Sequence, residues 1–353
     1  MNEGIEGREL VEIKEIDASE GGQTLRTSIS LSALKKEAIK VINIRKNRPK
    51  PGLQRQHLTG IRTLSRLCNA VLEFDEMESQ ELEFNPDSFI GGNFAVNVGS
   101  AGAVSLVLQS ILLPSLIKET KLSVVGGTDV PFAPPFSFLS EVLFPVLRKM
   151  GAKFNAKLFR RGYYPKGNGK ISFESKKARL PLKAINLEER GSLNFFKIYS
   201  HSMNLPKEVV ENQFIRAKQL LESKEKDIEK FLDSSEGPSI GSGIECYAFY
   251  DNAVLSGTNL GKKGVNALKV GELSAKNLFY EMNSDGIDSH LADQLIPFMA
   301  IAKGTSTISV SKITEHLLTN IKVTEKMLGV KFEVAGELGE QGRISVQGIS
   351  FKS

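Results

Sequence analysis

Sulfur and imidazole are scarce in this chain: 353 residues contain two cysteines and four histidines. Cys68 and Cys246 lie far apart in a chain large enough to fold without a staple, which excludes a disulfide framework and points to reduced thiols in an intracellular setting. There is no N-x-S/T sequon, and no apolar run approaches the roughly 20 residues of a membrane span. The opening stretch, MNEGIEGREL, is acidic and unlike a secretory signal. The glycine stretches GGNFAVNVGSAG and GKKG spell neither G-x-G-x-x-G nor a P-loop, so nicotinamide-type and Walker-type sites are not supported. His290 and Asp293 share a turn, but no second ligand cluster with zinc-like spacing accompanies them.

What is present describes a globular protein of up to two domains. Hydrophobic residues make up 41% of the chain, enough for a sizeable core, and charged residues make up 25%. The net charge of +5 is mild, but its distribution is uneven. Residues 38–72 contain no Asp or Glu, while Lys40, Arg45, Lys46, Arg48, Lys50, Arg55, Arg62 and Arg66 all fall inside. Such a stretch is either a solvated basic face or a site for phosphates or nucleic acid.

Three windows repeat one order of signals: helix, strand, loop, helix, strand, turn, strand. They begin at TLRTSISL, SAGAVSLVLQ and HLADQLIPF. Their helices carry apolar residues at spacings of three and four, and their strands are short and β-branched. Gly151 and Gly329 each follow a helix and precede a strand, as left-handed C-caps do. The expected fold is therefore α+β. Between the second and third windows, NFFKIYS reads as a strand, PKEVVENQFIRAKQLLESKEKDIEKFL as one long charged helix, IECYAFYD as a strand and VNALKVGELSAKNLFYEM as a helix. This division predicts a large repeat domain over 1–190 and 283–353, with an inserted small α+β domain over 191–282.

In each window the first strand runs through a loop into the second helix, where unsatisfied N–H groups and the helix dipole favour anions. Packed about a common axis, three such loops would converge. They carry Arg45, Arg48, Lys50, Gln56 and His57; then Thr128, Asp129 and Pro134; then His316. A histidine at the head of a helix beside an anion site suits a nucleophile that attacks phosphorus, and it equally suits a capping or packing role. His201, in YSHSMNLP, reads as a surface or loop residue, and His57 as the partner of a neighbouring side chain.

Seven stretches, in order along nearly the whole chain, resemble the RNA 3'-terminal phosphate cyclase family. They are EGGQTLRTS (20–28), NIRKNRPKPGLQRQHL (43–58), GSAGAVSLVLQ (99–109), GGTDVPFAPP (126–135), RRGYYPKGNG (160–169), SHLADQLIPFMAIA (289–302) and HLLTNIKVTEKMLGVKF (316–332). The resemblance implies three βαβαββ repeats similar to the C-terminal domain of translation initiation factor 3, with a smaller domain inserted before the third. It also implies a ligase-type reaction: ATP-dependent conversion of an RNA 3'-phosphate to a 2',3'-cyclic phosphodiester through histidinyl-AMP and RNA-ppA intermediates, with Mg2+ or Mn2+ as activator.

Carried over one residue at a time, His316 matches the nucleophile. Gln109, Pro134, His290, Asp293 and Gln294 match positions that contact ATP. Arg26, Arg45, Arg48, Gln56 and His57 match the phosphate and RNA side, and Glu20 and Asp293 match the metal positions. Three departures stand out: the glycine run at 20–23 is one residue short, Ser137 replaces a common acidic residue, and Asn168 interrupts a triple glycine. The resemblance implies an intracellular, RNA-processing enzyme, nuclear in a eukaryote and cytoplasmic in a prokaryote, with no membrane partner. The rival readings are a non-catalytic cyclase-like protein that binds RNA in ribosome assembly, and an enolpyruvyl transferase, which would carry two trios of repeats rather than one.

Overall fold

The computed structural model describes residues 13–353, so MNEGIEGREL lies outside the described residues. The chain forms a mixed α/β structure built on four small mixed sheets. The first holds β1 (Lys14–Asp17), β2 (Ile39–Ile42), β3 (Val71–Glu73) and β4 (Leu82–Asn85) in the order β1-β2-β4-β3, with α1 (Gly22–Lys35) and α2 (Arg55–Cys68) in the connections. The second holds β5 (Gly92–Asn97), β6 (Thr120–Gly126), β7 (Lys153–Arg160) and β8 (Gly169–Lys176) in the order β5-β6-β8-β7. Its helices are α3 (Val104–Leu112) and a second one in which α4 (Phe136–Phe138) passes through a wider turn, Leu139–Leu143, into α5 (Phe144–Met150).

After β9 (Asn186–Leu187) comes a separate sheet of β10 (Leu193–Met203), β11 (Ile228–Ser235), β12 (Gly241–Tyr250) and β13 (Val254–Leu260), packed by α6 (Lys207–Leu221) and α7 (Ala267–Met282). The chain then returns through α8 (Ser289–Ile301), β14 (Lys303–Val310), α9 (Glu315–Leu328), β15 (Phe332–Ala335) and β16 (Gly342–Ile349). β9 completes this last sheet, in the order β15-β16-β14-β9. In the first, second and last sheets the opening strand pairs parallel to the next and the remaining pairs are antiparallel.

Local sequence explains most of these elements. In β6 the buried Leu122 and Val124 alternate with Lys121 and Ser123, the two-residue period of a half-buried strand. In α2, Leu58, Ile61, Leu64 and Leu67 face the core while Arg55, Arg62 and Arg66 face solvent. α8 is buried on nearly every side, from Leu291 to Ile301, and contributes to the large core. Gly151 (φ 109°) and Gly329 (φ 72°) end α5 and α9 in the left-handed conformation, as expected. A second apolar cluster, including Phe196, Ile198, Phe214, Ile244 and Leu278, joins the β10–β13 sheet to α6 and α7.

Two expectations are corrected. The long charged helix ends at Leu221; after one tighter turn and Glu225 in the left-handed conformation (φ 52°), DIEKFL enters β11, paired parallel to β10 over eight residues. Ladder hydrogen bonds to an available edge override the helical propensity of Glu and Lys. The opening strands β1, β5 and β9 carry too little apolar alternation to stand out: each lies at a sheet edge, where charged and glycine-bounded sequences are tolerated.

Candidate active site

α9 begins with a side-chain cap. Thr314 Oγ1 accepts the Leu317 N–H at 3.0 Å and donates to Asp293 Oδ1 of α8 at 2.7 Å. His316 lies in the first turn of α9, two residues after the cap, with its ring open to solvent. Protein surrounds the ring at longer range, and this partial burial lowers its pKa, helped by the positive fields of Arg26 and Arg48. The imidazole is therefore neutral, the form required of a nucleophile, throughout the neutral range.

The cations come from the first βα unit. Gly21 adopts φ 146°, open to glycine but strained for other residues, and turns the chain into α1 without a side-chain cap. Its carbonyl neighbour, Glu20 O, accepts Arg48 Nε and Nη2 at 3.2 and 2.9 Å, which fixes Arg48 against the helix start. Arg45, itself left-handed at φ 56°, donates to Gly52 O at 3.2 Å. Burial and then Arg45 lower Arg26 to about 10, still fully charged at neutral pH.

His57 is buried beneath these groups, and burial, Arg26 and Arg45 push it down to about 3. Its Nδ1 accepts the Gln54 N–H at 3.0 Å, closing the start of α2. A neutral ring whose Nδ1 accepts must carry its proton on Nε2, so His57 offers a fixed donor beside Gly22 and Arg26. The expected partner of His57 was a neighbouring side chain; the structure pairs it instead with the backbone N–H of Gln54 at the start of α2.

α3 and α8 supply the opposite wall. Gln109 Oε1 accepts Arg26 Nε at 3.2 Å, and a cleft lined by Gln23, Arg26, Gln109, Asp293, Gln294 and Asn320 runs between α1, α3, α8 and α9. Asn320 ties three helices together: it donates to Asp293 O at 2.6 Å and accepts from Thr27 Oγ1 at 2.7 Å. Burial raises the Asp293 carboxyl to about 7 despite the Thr314 bond. Gln294 donates to His290 O at 3.3 Å, while its own buried Oε1 has no partner among the described residues. His290 is exposed and lines a neighbouring cleft with Thr258, Asn277 and Tyr280, yet stays within electrostatic reach of Asp293 and His316. Pro134 O accepts Ser105 Oγ at 2.7 Å, one turn of α3 before Gln109, and Gln56 Oε1 accepts the Ala103 N–H at 3.3 Å.

The structure sorts the basic stretch. Arg45 and Arg48 face the site, whereas Arg62 pairs with Asp75 at 2.8 Å, Arg66 lies over the Phe94 ring and Lys40 pairs with Glu81 and Glu83. Glu20 is exposed at its edge.

Thr128 and Asp129 of the second loop do not converge on the site as expected, whereas Pro134 of the same loop lies against α3. Asp129 pairs with Arg161 Nη1 at 2.9 Å, and Thr128 Oγ1 accepts the Gly162 N–H at 2.8 Å, in a buried cluster with Glu245 and His201. His201, read from sequence as a surface or loop residue, is buried on β10, bonded through Nδ1 to Tyr163 Oη at 2.7 Å and through Nε2 to Glu245 Oε1 at 3.1 Å. SHSMNLP holds the end of a strand, not an exposed loop. Ser137, which stands where an acidic residue was expected, donates to the Glu245 carboxylate arriving from β12. Asn168 takes φ 57°, a conformation asparagine tolerates better than most residues with a side chain.

Sequence reasoning missed Thr314 and Asn320. The first was legible as a Thr cap before an apolar helical run; the second had no local signal.

The family profile described as RNA 3'-terminal phosphate cyclase matches residues 18–334. A protein named RNA 3'-terminal phosphate cyclase from Pyrococcus furiosus is 42% identical over 92% of this chain and 95% of its own length. One of the same name from Archaeoglobus fulgidus is 40% identical over 92% of this chain and 98% of its own. Among solved structures, the enolpyruvyl transferase NikO from Streptomyces tendae has 11% identity and a TM-score of 0.40, covering 95% of this chain and 48% of that one. With a family match that spans residues 18–334 and relatives about two-fifths identical over nearly their full length, the chain belongs to the RNA 3'-terminal phosphate cyclase family.

Proposed function

We propose that this protein converts RNA 3'-phosphate ends to 2',3'-cyclic phosphodiesters at the expense of ATP. The observation that carries the reading is a neutral, solvent-open imidazole, His316, at a helix start under the fields of Arg26 and Arg48. His316 attacks the α-phosphorus of ATP, the bond to pyrophosphate breaks, and AMP stays on the ring nitrogen. The RNA 3'-phosphate oxygen then attacks that phosphorus, freeing the imidazole and forming RNA-ppA. Attack by the neighbouring 2'-OH, with loss of its proton, closes the ring and expels AMP. Each step places negative charge on phosphoryl oxygens, where fixed guanidiniums and the Nε2–H of His57 stabilise it.

In this reading Gln109, Pro134, His290, Asp293 and Gln294 hold the nucleotide, and Arg26, Arg45, Arg48, Gln56 and His57 receive the phosphates. Glu20 and Asp293 offer the hard oxygen donors that suit Mg2+ or Mn2+, which takes few protein ligands and completes its shell with phosphate and water. Such an ion would neutralise phosphate charge. We also read the chain as a large unit, 1–190 with 283–353, made of three βαβαββ copies, and an inserted unit over 191–282; the shared strand order of three sheets supports this. A single trio also speaks against the enolpyruvyl transferase alternative. The non-catalytic alternative is not favoured, because His316, Arg45 and Arg48 are all present. No helix among the described residues is long and apolar enough to cross a membrane. The expected nuclear location finds no support in the relatives named above, which are archaeal.

Incubation with ATP labelled in the α-phosphate tests the reading. Label should remain on the wild-type protein after denaturation and be absent from His316→Ala. A wild type that stays unlabelled with either Mg2+ or Mn2+ would overturn it.

A further inference from the structure

Two exposed aromatic side chains stand on adjacent, mutually paired loops, one of them the loop that carries Pro134, and nothing in the mechanism above uses them. Phe132 is fully exposed and held at φ 64°, a conformation rare for a bulky residue. Its loop is otherwise firmly anchored. Phe136 N–H donates to Thr128 O at 3.1 Å, Pro134 O accepts from Ser105, and Val130 packs on Ala103 and Leu106. The loop thus buries Val130 inward and displays Phe132 outward, two residues from Pro134.

The second ring, Tyr164, is 67% exposed. Its turn pairs with the Phe132 loop: Tyr163 bridges Asp129, and the Thr128 and Asp129 N–H groups both donate to Gly162 O, at 2.9 and 3.2 Å. From below, the β10–β13 sheet pins the same turn, since Tyr163 Oη bonds His201 and Tyr163 N–H donates to Ser239 Oγ at 3.0 Å. On the far side a Cβ on Gly167 would lie 2.6 Å from Ser100 O, so the turn sits directly on the 99–101 loop. Arg55 reaches that loop too, donating to Gly99 O at 3.4 Å from the first position of α2. Arg55 and Lys166 are exposed and make no ion pair among the described residues.

We infer that Phe132 and Tyr164 form a stacking platform for the last unpaired bases of the RNA strand, with Arg55 and Lys166 on its phosphates. The inference rests on the functional reading above, for it names the surface over which that substrate would leave the site. Isolated surface aromatics need no explanation. Here, however, two lie on rigid, mutually paired loops beside exposed cations, the combination that binds single strands through base faces and backbone charge without reading sequence. The arrangement also gives the inserted sheet a role: it holds the turn that presents Tyr164.

Fluorescence anisotropy with a labelled single-stranded oligoribonucleotide bearing a 3'-phosphate tests this on the full chain, without requiring turnover. Phe132→Ala and Tyr164→Ala should each weaken binding roughly fivefold or more, with Phe132→Tyr close to wild type. Phe159→Ala, which removes an exposed ring on β7, serves as control and should change nothing. A blunt duplex end should bind the wild type and both alanine variants alike. Unchanged single-strand binding in the Phe132→Ala, Tyr164→Ala double variant, with unaltered thermal unfolding, would overturn the inference. So would a raised KM for ATP in adenylylation with RNA binding intact, since the rings would then hold adenine. A wild type that binds the strand but never adenylylates leaves the platform standing and sinks the functional reading instead.

Discussion

Thr314 Oγ1 and Asp293 Oδ1 are 2.7 Å apart, and the same hydroxyl caps α9. One side chain thus sets both the helix that presents His316 and the orientation of the carboxyl on the facing helix. Removing it should affect two things at once. Thr314→Val should cost about 1–2 kcal/mol in urea unfolding through the lost cap and should slow adenylylation. Thr314→Ser, which keeps the hydroxyl, should retain both. Equal behaviour of the two variants would show that the bond has no bearing on the site.

Asp293 supplies a pH signature. Its folded value of about 7 lies above the carboxylate reference of 3.8, because burial disfavours its charge. Between these values the folded chain keeps a proton that the unfolded chain has released. The associated stability is therefore complete below about pH 4 and is lost as pH rises through about 7, by at most about 4 kcal/mol. Asp293→Asn should flatten this part of the profile and gain stability relative to wild type at pH 8. Urea midpoints at pH 5 and pH 8 measure it; parallel profiles would refute the assignment.

Gly22 is required for space rather than for conformation. A Cβ there would meet His57 Nε2 at 2.5 Å and Arg26 Nη1 at 3.1 Å. His57 cannot swing aside without breaking its bond to Gln54 N–H. Gly22→Ala should cost about 1–3 kcal/mol from overpacking and lower adenylylation at least tenfold while the fold persists. Wild-type labelling by this variant would mean that His57 and Arg26 are not held in the geometry described.

Arg161 is the cation of the buried cluster that holds Asp129, Glu245 and His201. Burial works against its charge, but Asp129 and Glu245 more than offset this and raise its pKa. Glu245 is opposed by burial and held down to about 2 by His201 and Arg161. Arg161→Met would leave two buried carboxylates without their guanidinium and should cost about 3–5 kcal/mol. For Glu245 the sign is the reverse of Asp293: stability present above about pH 4.5 is lost as pH falls toward 2. Thermal unfolding at pH 7 and pH 4 should show the Arg161→Met deficit shrinking in acid as the orphaned carboxylates protonate.

Much of the chemistry was legible in the chain itself. A lone histidine between a strand and an apolar helical run, a basic stretch without acids, and glycines after two helices are local signals, because caps and amphipathic periods involve residues a few positions apart. The same locality explains the failures. β11 reads as helix until the edge of β10 offers it hydrogen bonds, and β1, β5 and β9 carry little pattern of their own.

By itself, the sequence determined most of the helices and strands, the position of His316 at a helix start and the cations available to it. Only the tertiary structure decided that Arg48 turns onto Glu20 and that Gln109 holds Arg26. It also decided that Asp293 is buried enough to keep its proton near neutrality and that His201 lies inside a cluster of opposite charges. These outcomes depend on burial and on contacts between residues tens to hundreds of positions apart, where the free energy of a charge is set by its surroundings and not by its neighbours in the chain.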